Sequence, residues 1–453
     1  MISNPEKAIR KLSWPLTISL LITALYNLID GFWASGLGLG NLAGIEYITP
    51  LFLGIVGISK GLKIGVASAI SKYIGNDDKK KADNAAAHAI ILAIIISLFL
   101  TITLLLFMHY LLISMKIGKN IHAAQLYGNI IFLGSILFII PHVIEGIFIS
   151  EGNSKRIMYL IILSSILNLI LDPFFAYTLN LGVRGIAEAS VLSLVPANLM
   201  IIYLFYIKKD TYLRPTLTNF KLDYNIIKDI LKVGIPSSLD IICEAVGLAV
   251  LIFLIGMVLS NQALTNEISI HKLGFNIITL GSIFVTGIST TLVSIIATNV
   301  GAKSKKNINK IYKYSIKLCL IISILIFLII FIFSEEISTL LAYNIHNPAF
   351  FEEVNEFLYF IGIILVFQGI SEPCIASFEG LGNGFLALLQ RIFKQIFIIS
   401  ISYFFIIVID SDVDFVHIGI ILGELLIALI SYRWSKIKLS NINFDNENNN
   451  VDT

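Results

Sequence analysis

Asp30, Glu145, Asp172 and Glu188 in the first half of the chain, and Asp240, Glu244, Glu372, Glu379 and Glu424 in the second, all fall inside long apolar runs. A charged carboxylate at mid-bilayer costs about 2.5–3.5 kcal/mol on insertion scales, so each one calls for a partner or a role. Tyr26 and Asp30 are spaced i, i+4, as are Asn168 and Asp172, which places each polar pair on one face of a helix. Pro173 follows Asp172 and loosens the helix at that level. Two carboxyls sharing a low-dielectric cavity cannot both stay ionised cheaply. Such a pair would take up and release protons, and with amide and hydroxyl neighbours it would also hold a small hard cation. Na⁺ at Asp30, Asn168 and Asp172 is therefore an alternative to H⁺, and these residues alone do not separate the two. The plainer reading is that Asp172-Pro173 only ends a helix while Asn168 packs on a neighbour.

Asp240 and Glu244 make a second i, i+4 acidic pair, with Glu372 just before Pro373 as a third carboxylate. If buried, they must be partly protonated or compensated by cations; if not, they line a wet cleft. Glu188, Glu379 and Glu424 lie near expected span ends and are expected to reach the interface. Lys60, Lys63 and Lys272 are expected to snorkel or to pair with cavity carboxylates.

The elements that hold these groups follow from composition. Of 453 residues 57% are apolar and 14% charged, whereas soluble domains have roughly 45–50% and about 25%. Together with a mean hydropathy of +0.87, this excludes a soluble enzyme, a disordered chain, a coiled coil and a disulfide-stapled module. A net charge of +2 leaves no nucleic-acid footprint. Cys243, Cys319 and Cys374 lie apart in apolar runs and read as free thiols, not metal ligands. Apolar runs at 13–35, 46–71, 83–108, 124–149, 157–178, 185–207, 229–258, 267–298, 310–333, 354–378, 385–408 and 414–433 predict an all-α integral membrane protein of twelve spans. The first run is too long for a cleaved signal and lacks its cleavage site.

Lys and Arg gather in alternate connections and at both ends of the chain, while the opposite loops carry only Lys116, Lys119 and Arg184. Both termini are thus expected in the cytoplasm, with Glu335-Glu336, Glu352-Glu353 and Asp410/Asp412/Asp414 outside. The two halves repeat. Lys11-x-x-x-Pro15 matches Lys232-x-x-x-Pro236, Gly75 with Lys79–Lys81 matches Gly301 with Lys303, Lys305 and Lys306, and Gly152-Asn153 matches Gly382-Asn383. Six spans per copy return the chain to its starting side, which predicts two six-helix lobes related by a pseudo-two-fold axis along the membrane normal. The expected domains are an N-lobe at 1–207, a basic cytoplasmic linker at 208–228, a C-lobe at 229–436 and a polar tail at 437–453.

The segments Tyr26-Asn-Leu-Ile-Asp30-Gly, Gly36-Leu-Gly38, Gly57-Ile-Ser-Lys-Gly61, Glu151-Gly152-Asn153-Ser-Lys155-Arg156 and Asn168-Leu-Ile-Leu-Asp172-Pro173 resemble the multidrug and toxic compound extrusion (MATE) family, in its prokaryotic DinF-like branch. The resemblance runs from Pro15 to the last span. It implies two lobes around a V-shaped cavity and export of amphipathic, often cationic, compounds in exchange for H⁺ or Na⁺, with no cofactor. It also implies a coupling site at Asp30, Asp172, Asn168, Tyr26, Tyr127 and Ser190, with bending of the first helix at Pro15. His142 stands where the branch has an amide, and Lys60 and Lys63 where it has small or neutral residues. Because histidine titrates near neutrality, His142 joins the candidate site. Glu244 resembles the C-lobe carboxylate of another MATE branch, so Glu244, Asp240 and Glu372 form an alternative cation site. The expected partners are small amphipathic molecules and membrane lipid, with the protein acting as a monomer in the cell membrane.

Two other functions remain. A flippase for lipid-linked oligosaccharides would call for a basic cavity for pyrophosphate, whereas the intramembrane pairs here are acidic. A membrane enzyme would need a nucleophile–base set or a metal motif, and neither H-E-x-x-H nor G-x-S-x-G occurs.

Overall fold

The computed structural model describes residues 1–114, 121–216, 220–259, 261–341, 348–409, 415–442 and 444. The expected Asp410 and Asp414, Lys116 and Lys119, and the end of the polar tail lie outside these residues. Among the described residues fourteen α-helices make up the fold. They are α1 (Pro5–Ser35), α2 (Leu39–Gly75), α3 (Lys79–Ser114), α4 (Ile121–Leu133), α5 (Ser135–Ser150), α6 (Ser154–Pro173) and α7 (Val183–Ile202) in the first half. The second half has α8 (Tyr224–Val258), α9 (Asn261–Gly301), α10 (Lys305–Ile332), the short α11 (Ser334–Leu341), α12 (Pro348–Gly380), α13 (Gly384–Tyr403) and α14 (Phe415–Ser440). Among the described residues there is no strand. Eleven helices among the described residues are long and apolar enough to cross a membrane, and the bent pair α4–α5 makes up to 12. The protein is an all-α, multi-pass membrane protein.

The expected span 124–149 is broken by 45° at Gly134. A Cβ there would lie 2.6 Å from Val191 Cγ2, so only glycine lets α7 approach. The carbonyls freed at the bend are taken up by side chains. Thr101 Oγ1 donates to Phe132 O at 2.9 Å. Pro141 has no N–H for Leu137 O, and Asn198 Nδ2 bonds that oxygen at 3.2 Å instead. The short α11, which carries Glu335 and Glu336, lies beyond the apolar runs.

The internal repeat shows in the backbone. Asn153 N–H bonds Phe148 O and Asn383 N–H bonds Phe378 O, both at 2.8 Å, across Gly152 at φ 77° and Gly382 at φ 74°. Asp78 N–H on Tyr73 O at 3.1 Å and Ser304 N–H on Asn299 O at 2.9 Å close α2 and α9 in the same way. Each is a Schellman end, in which a left-handed residue turns the chain back on the last helical carbonyls. The span-five and span-eleven helices α6 and α13 also both run on into one π-helical turn, at Phe174–Thr178 and Phe404–Val408.

The packing divides into two compact units, one of Lys11–Ile241 and one of Met1–Arg10 together with Ile242 onward. The division falls inside α1 and α8. Glycine accounts for the position on α8. Cβ atoms at Gly61 and Gly65 would collide with Gly234 O and Ile230 O, so α2 and the first half of α8 touch backbone to backbone. Tyr73 Oη adds a 2.8 Å bond to Asp229. At the other end, Asn307 Nδ2 donates to Ile2 O at 2.9 Å and Lys310 pairs with Glu6 at 3.5 Å.

The linker is stapled to the first unit. Leu213 N–H bonds Glu151 Oε1 at 2.9 Å, Arg214 N–H bonds Asp83 Oδ1 at 2.7 Å, and Asp223 N–H bonds His88 Nε2 at 3.0 Å. The Leu213 side chain is fully buried.

Candidate functional site

The first unit brings Tyr26 and Asp30 on α1 against Asn168 and Asp172 on α6. Pro15 sits buried inside α1, and above it Ser19 Oγ donates to Pro15 O and Thr23 Oγ1 to Ser19 O, both at 2.9 Å. The last turn of α1 is held by the π-helical turn that follows Asp172-Pro173. Tyr177 Oη donates to Trp33 O at 2.6 Å and lies so close over Gly36 that any side chain there would clash. The position of Asp30 is thus fixed from the same segment that carries Asp172.

Asp172 and Asn168 are buried, and Asn168 Nδ2 donates to Asp172 Oδ1 at 3.1 Å. The Asp30 carboxyl lies within hydrogen-bonding reach of Asp172. Asp30 Oδ1 and Asp172 Oδ2 are nonetheless buried without a donor. Two bare carboxylates offer each other none, and a shared proton or a cation between them is the kind of partner that would satisfy both. Tyr26 and Tyr127 lie within electrostatic range of both carboxyls. Ser190 is buried on α7, where its hydroxyl bonds Ile186 O at 3.0 Å. A mostly apolar cavity of about 150 Å³ between α1 and α6 reaches Tyr26 and Asn168 and is walled by Ile22, Ile29 and Leu169.

His142 stands elsewhere. Its Nδ1 bonds Phe138 O at 2.9 Å, and the charges around it are Lys60, Lys63 and Glu145. Lys63 pairs with Glu145 at 3.3 Å, both buried. The resemblance adds His142 to the candidate site because it stands where the branch has an amide; in the structure its charged neighbours are on α2 and α5.

The alternative carboxylates of the second half stand among cations, with Glu244 and Glu372 both within electrostatic range of Lys394. Glu372 is held by both guanidinium nitrogens of Arg391, at 3.0 and 3.2 Å. Glu244 lies within electrostatic range of Lys394, and Asp240 belongs to the other packing unit. Glu424, expected at the interface, is buried and pairs with Lys394 at 2.7 Å, with Gln368 Nε2 at 3.3 Å. Glu379 is buried too, whereas Glu188 is half-buried against Arg184 at 2.7 Å. Arg391 and Lys394 both lie inside α13 and neutralise carboxylates. Sequence reasoning also passed over Glu267, His271 and His417, which lie together in the second unit.

The MatE family model matches residues 15–174 and 236–406. The chain belongs to the MatE family. Over 88% of its length this MatE chain is 24% identical to the multidrug export protein MepA of Staphylococcus saprophyticus, covering 87% of that protein. It is 23% identical to a protein named as multidrug resistance protein NorM in Thermotoga maritima, over 83% of this chain and 80% of that one. Among solved structures it resembles an outward-facing multidrug resistance MATE family transporter of the MOP superfamily, with a TM-score of 0.92 and 32% identity over 97% of this chain and 96% of the other. As a MatE protein it is a membrane transporter, not an enzyme.

Proposed function

We propose that this MatE transporter exports amphipathic, often cationic, organic compounds across the cell membrane in exchange for H⁺ or Na⁺. The names of its relatives support multidrug efflux. The Asp30–Asp172 pair, whose facing oxygens are buried and to which no cationic side chain is bonded among the described residues, carries the coupling reading. A proton or sodium ion entering between the two carboxyls removes their repulsion and lets α1 close on α6; its departure restores the repulsion and favours separation. A coupling ion shifts such an equilibrium only by the difference in its affinity for the two packings, and the repulsion supplies that difference. Pro15 leaves α1 one backbone hydrogen bond short, which makes the helix the compliant partner. Asn168 fixes the Asp172 rotamer, and Tyr26 and Tyr127 supply hydroxyls to the coupling ion. In this reading the protein works as a monomer with both termini in the cytoplasm.

The test is efflux from proteoliposomes under separately imposed proton and sodium gradients. The wild-type protein should export a cationic dye under at least one gradient, and Asp30→Asn and Asp172→Asn should fall to the protein-free background while inserting normally. Undiminished efflux in either variant would remove the pair from coupling.

A further inference from the structure

We propose that Glu267, His271 and His417 form a three-ligand site for a first-row transition dication of the zinc type. The site lies wholly within the second unit, and the proposal does not depend on the coupling reading. Glu267 and His271 stand one helical turn apart on α9, and His417 projects from the first turn of α14. All three are buried. Glu267 Oε1 lies 3.3 Å from His271 Nε2 and 3.4 Å from His417 Nε2, and the three atoms lie within 4.8 Å of one another.

These atoms converge without bonding. Glu267 Oε1, His271 Nε2 and His417 Nε2 are each buried and have no hydrogen-bond partner, although they lie near enough for one. The side chains of His271 and His417 are more than nine-tenths buried. A polar atom buried without a partner is costly, and three of them facing one point are satisfied together by one electrophile. Zinc bonds of about 2.0–2.2 Å in a tetrahedron set neighbouring donors about 3.3–3.6 Å apart, which is the spacing of both Glu267 edges. Two imidazoles and one carboxylate suit a borderline cation, whereas Na⁺, Mg²⁺ and Ca²⁺ prefer oxygen throughout.

The surroundings favour a fixed, dry site. Phe357 packs on His271 at 5.0 Å and on His417 at 4.4 Å, and Phe360 stacks on His417 at 5.4 Å. Ile270, Leu358 and Ile361 lie in the same apolar cluster as Phe357. The rings are therefore held in place before metal arrives, and a bound ion would tie α9 to α14. Three protein ligands leave a fourth position for water or an exogenous donor.

The experiment uses the full-length purified protein, stripped with EDTA and titrated with Zn²⁺ against a chromophoric chelator, then with Co²⁺. The proposal expects one saturable Zn²⁺ per chain, Co²⁺ absorption of the four-coordinate type, and a melting temperature raised by zinc and lowered again by EDTA. His271→Gln and His417→Gln should each weaken zinc binding by roughly a hundredfold or more, because losing a direct ligand costs at least as much as losing its support. His122→Gln, at an exposed site on α4, should leave the titration unchanged. A wild-type protein that takes up no stoichiometric zinc would overturn the proposal, as would unaltered affinity in the His271→Gln/His417→Gln double variant. Should the variants fail to fold, the wild-type cobalt spectrum decides: octahedral, weakly absorbing Co²⁺ would also overturn it.

Discussion

Among the described residues, the first unit keeps two membrane-level carboxylates together with only an amide bonded to them, while the second unit gives Glu372 and Glu424 permanent cations. Asp30 and Asp172 meet with Asn168 as the bonded neighbour, whereas Glu372 has Arg391 and Glu424 has Lys394. The first unit can also neutralise a carboxylate, as Lys63 does for Glu145, so the open pair is a local arrangement and not a property of that half. A carboxylate with a built-in cation has no use for an exchangeable one. A pair without it can borrow a proton or an ion, and borrowing is what the proposed antiport asks of its coupling site.

The largest effect should follow from breaking the open pair: Asp172→Asn is expected to abolish gradient-driven efflux, read in proteoliposomes, with little loss of thermal stability. Glu372→Gln should leave more activity than Asp172→Asn, and the reverse order would invert the contrast between the units. Next, Arg391→Leu strands Glu372 and should cost about 3–5 kcal/mol of stability by thermal unfolding, while Arg391→Leu with Glu372→Leu should recover most of it. If the single variant unfolds no earlier than the wild type, the bidentate pair is not compensating Glu372. Then comes the glycine crossing of α2 and α8. Gly65→Val forces a branched side chain against Ile230 O and should cost about 1–3 kcal/mol, measured by the same melting assay.

The smallest effect concerns the linker. Burial pushes the Glu151 carboxyl up to about 7, against the opposing pull of the Leu213 N–H and of Arg156. The native state therefore holds this proton more tightly than the unfolded chain. The contribution to linker docking is full below the ordinary glutamate value of 4.5 and is lost as pH rises through about 7. Amide exchange at Leu213, corrected for its intrinsic pH dependence, should accelerate over that interval. Glu151→Gln keeps the acceptor oxygen and should flatten the profile; an unchanged profile would show that Glu151 does not set it.

Much of the site was legible because it rests on helix periodicity. Tyr26 with Asp30 and Asn168 with Asp172 are one turn apart, and a helix forces such pairs onto one face whatever surrounds it. The paired Gly152-Asn153 and Gly382-Asn383 were legible for a similar local reason, since a left-handed turn residue closes a helix by itself. The pairing of Arg391 and Lys394 with carboxylates was not legible, because a linear tally of basic residues cannot tell a cytoplasmic charge from one bent inward to a carboxylate on another helix. The break in the fourth span had signals in Gly134 and Pro141, which a continuous apolar run outweighed.

By itself the sequence determined the solvent, the all-helical architecture, the internal repeat and the family, because hydrophobic length and local turn chemistry act within a few residues of each position. The tertiary structure alone decided which buried charges find partners. That choice also set Lys394 beside Glu244, Glu372 and Glu424, put Lys63 and Glu145 beside His142, and gathered Glu267, His271 and His417. Partners on separate helices are set by how those helices cross and rotate, and no local pattern in the chain encodes that geometry.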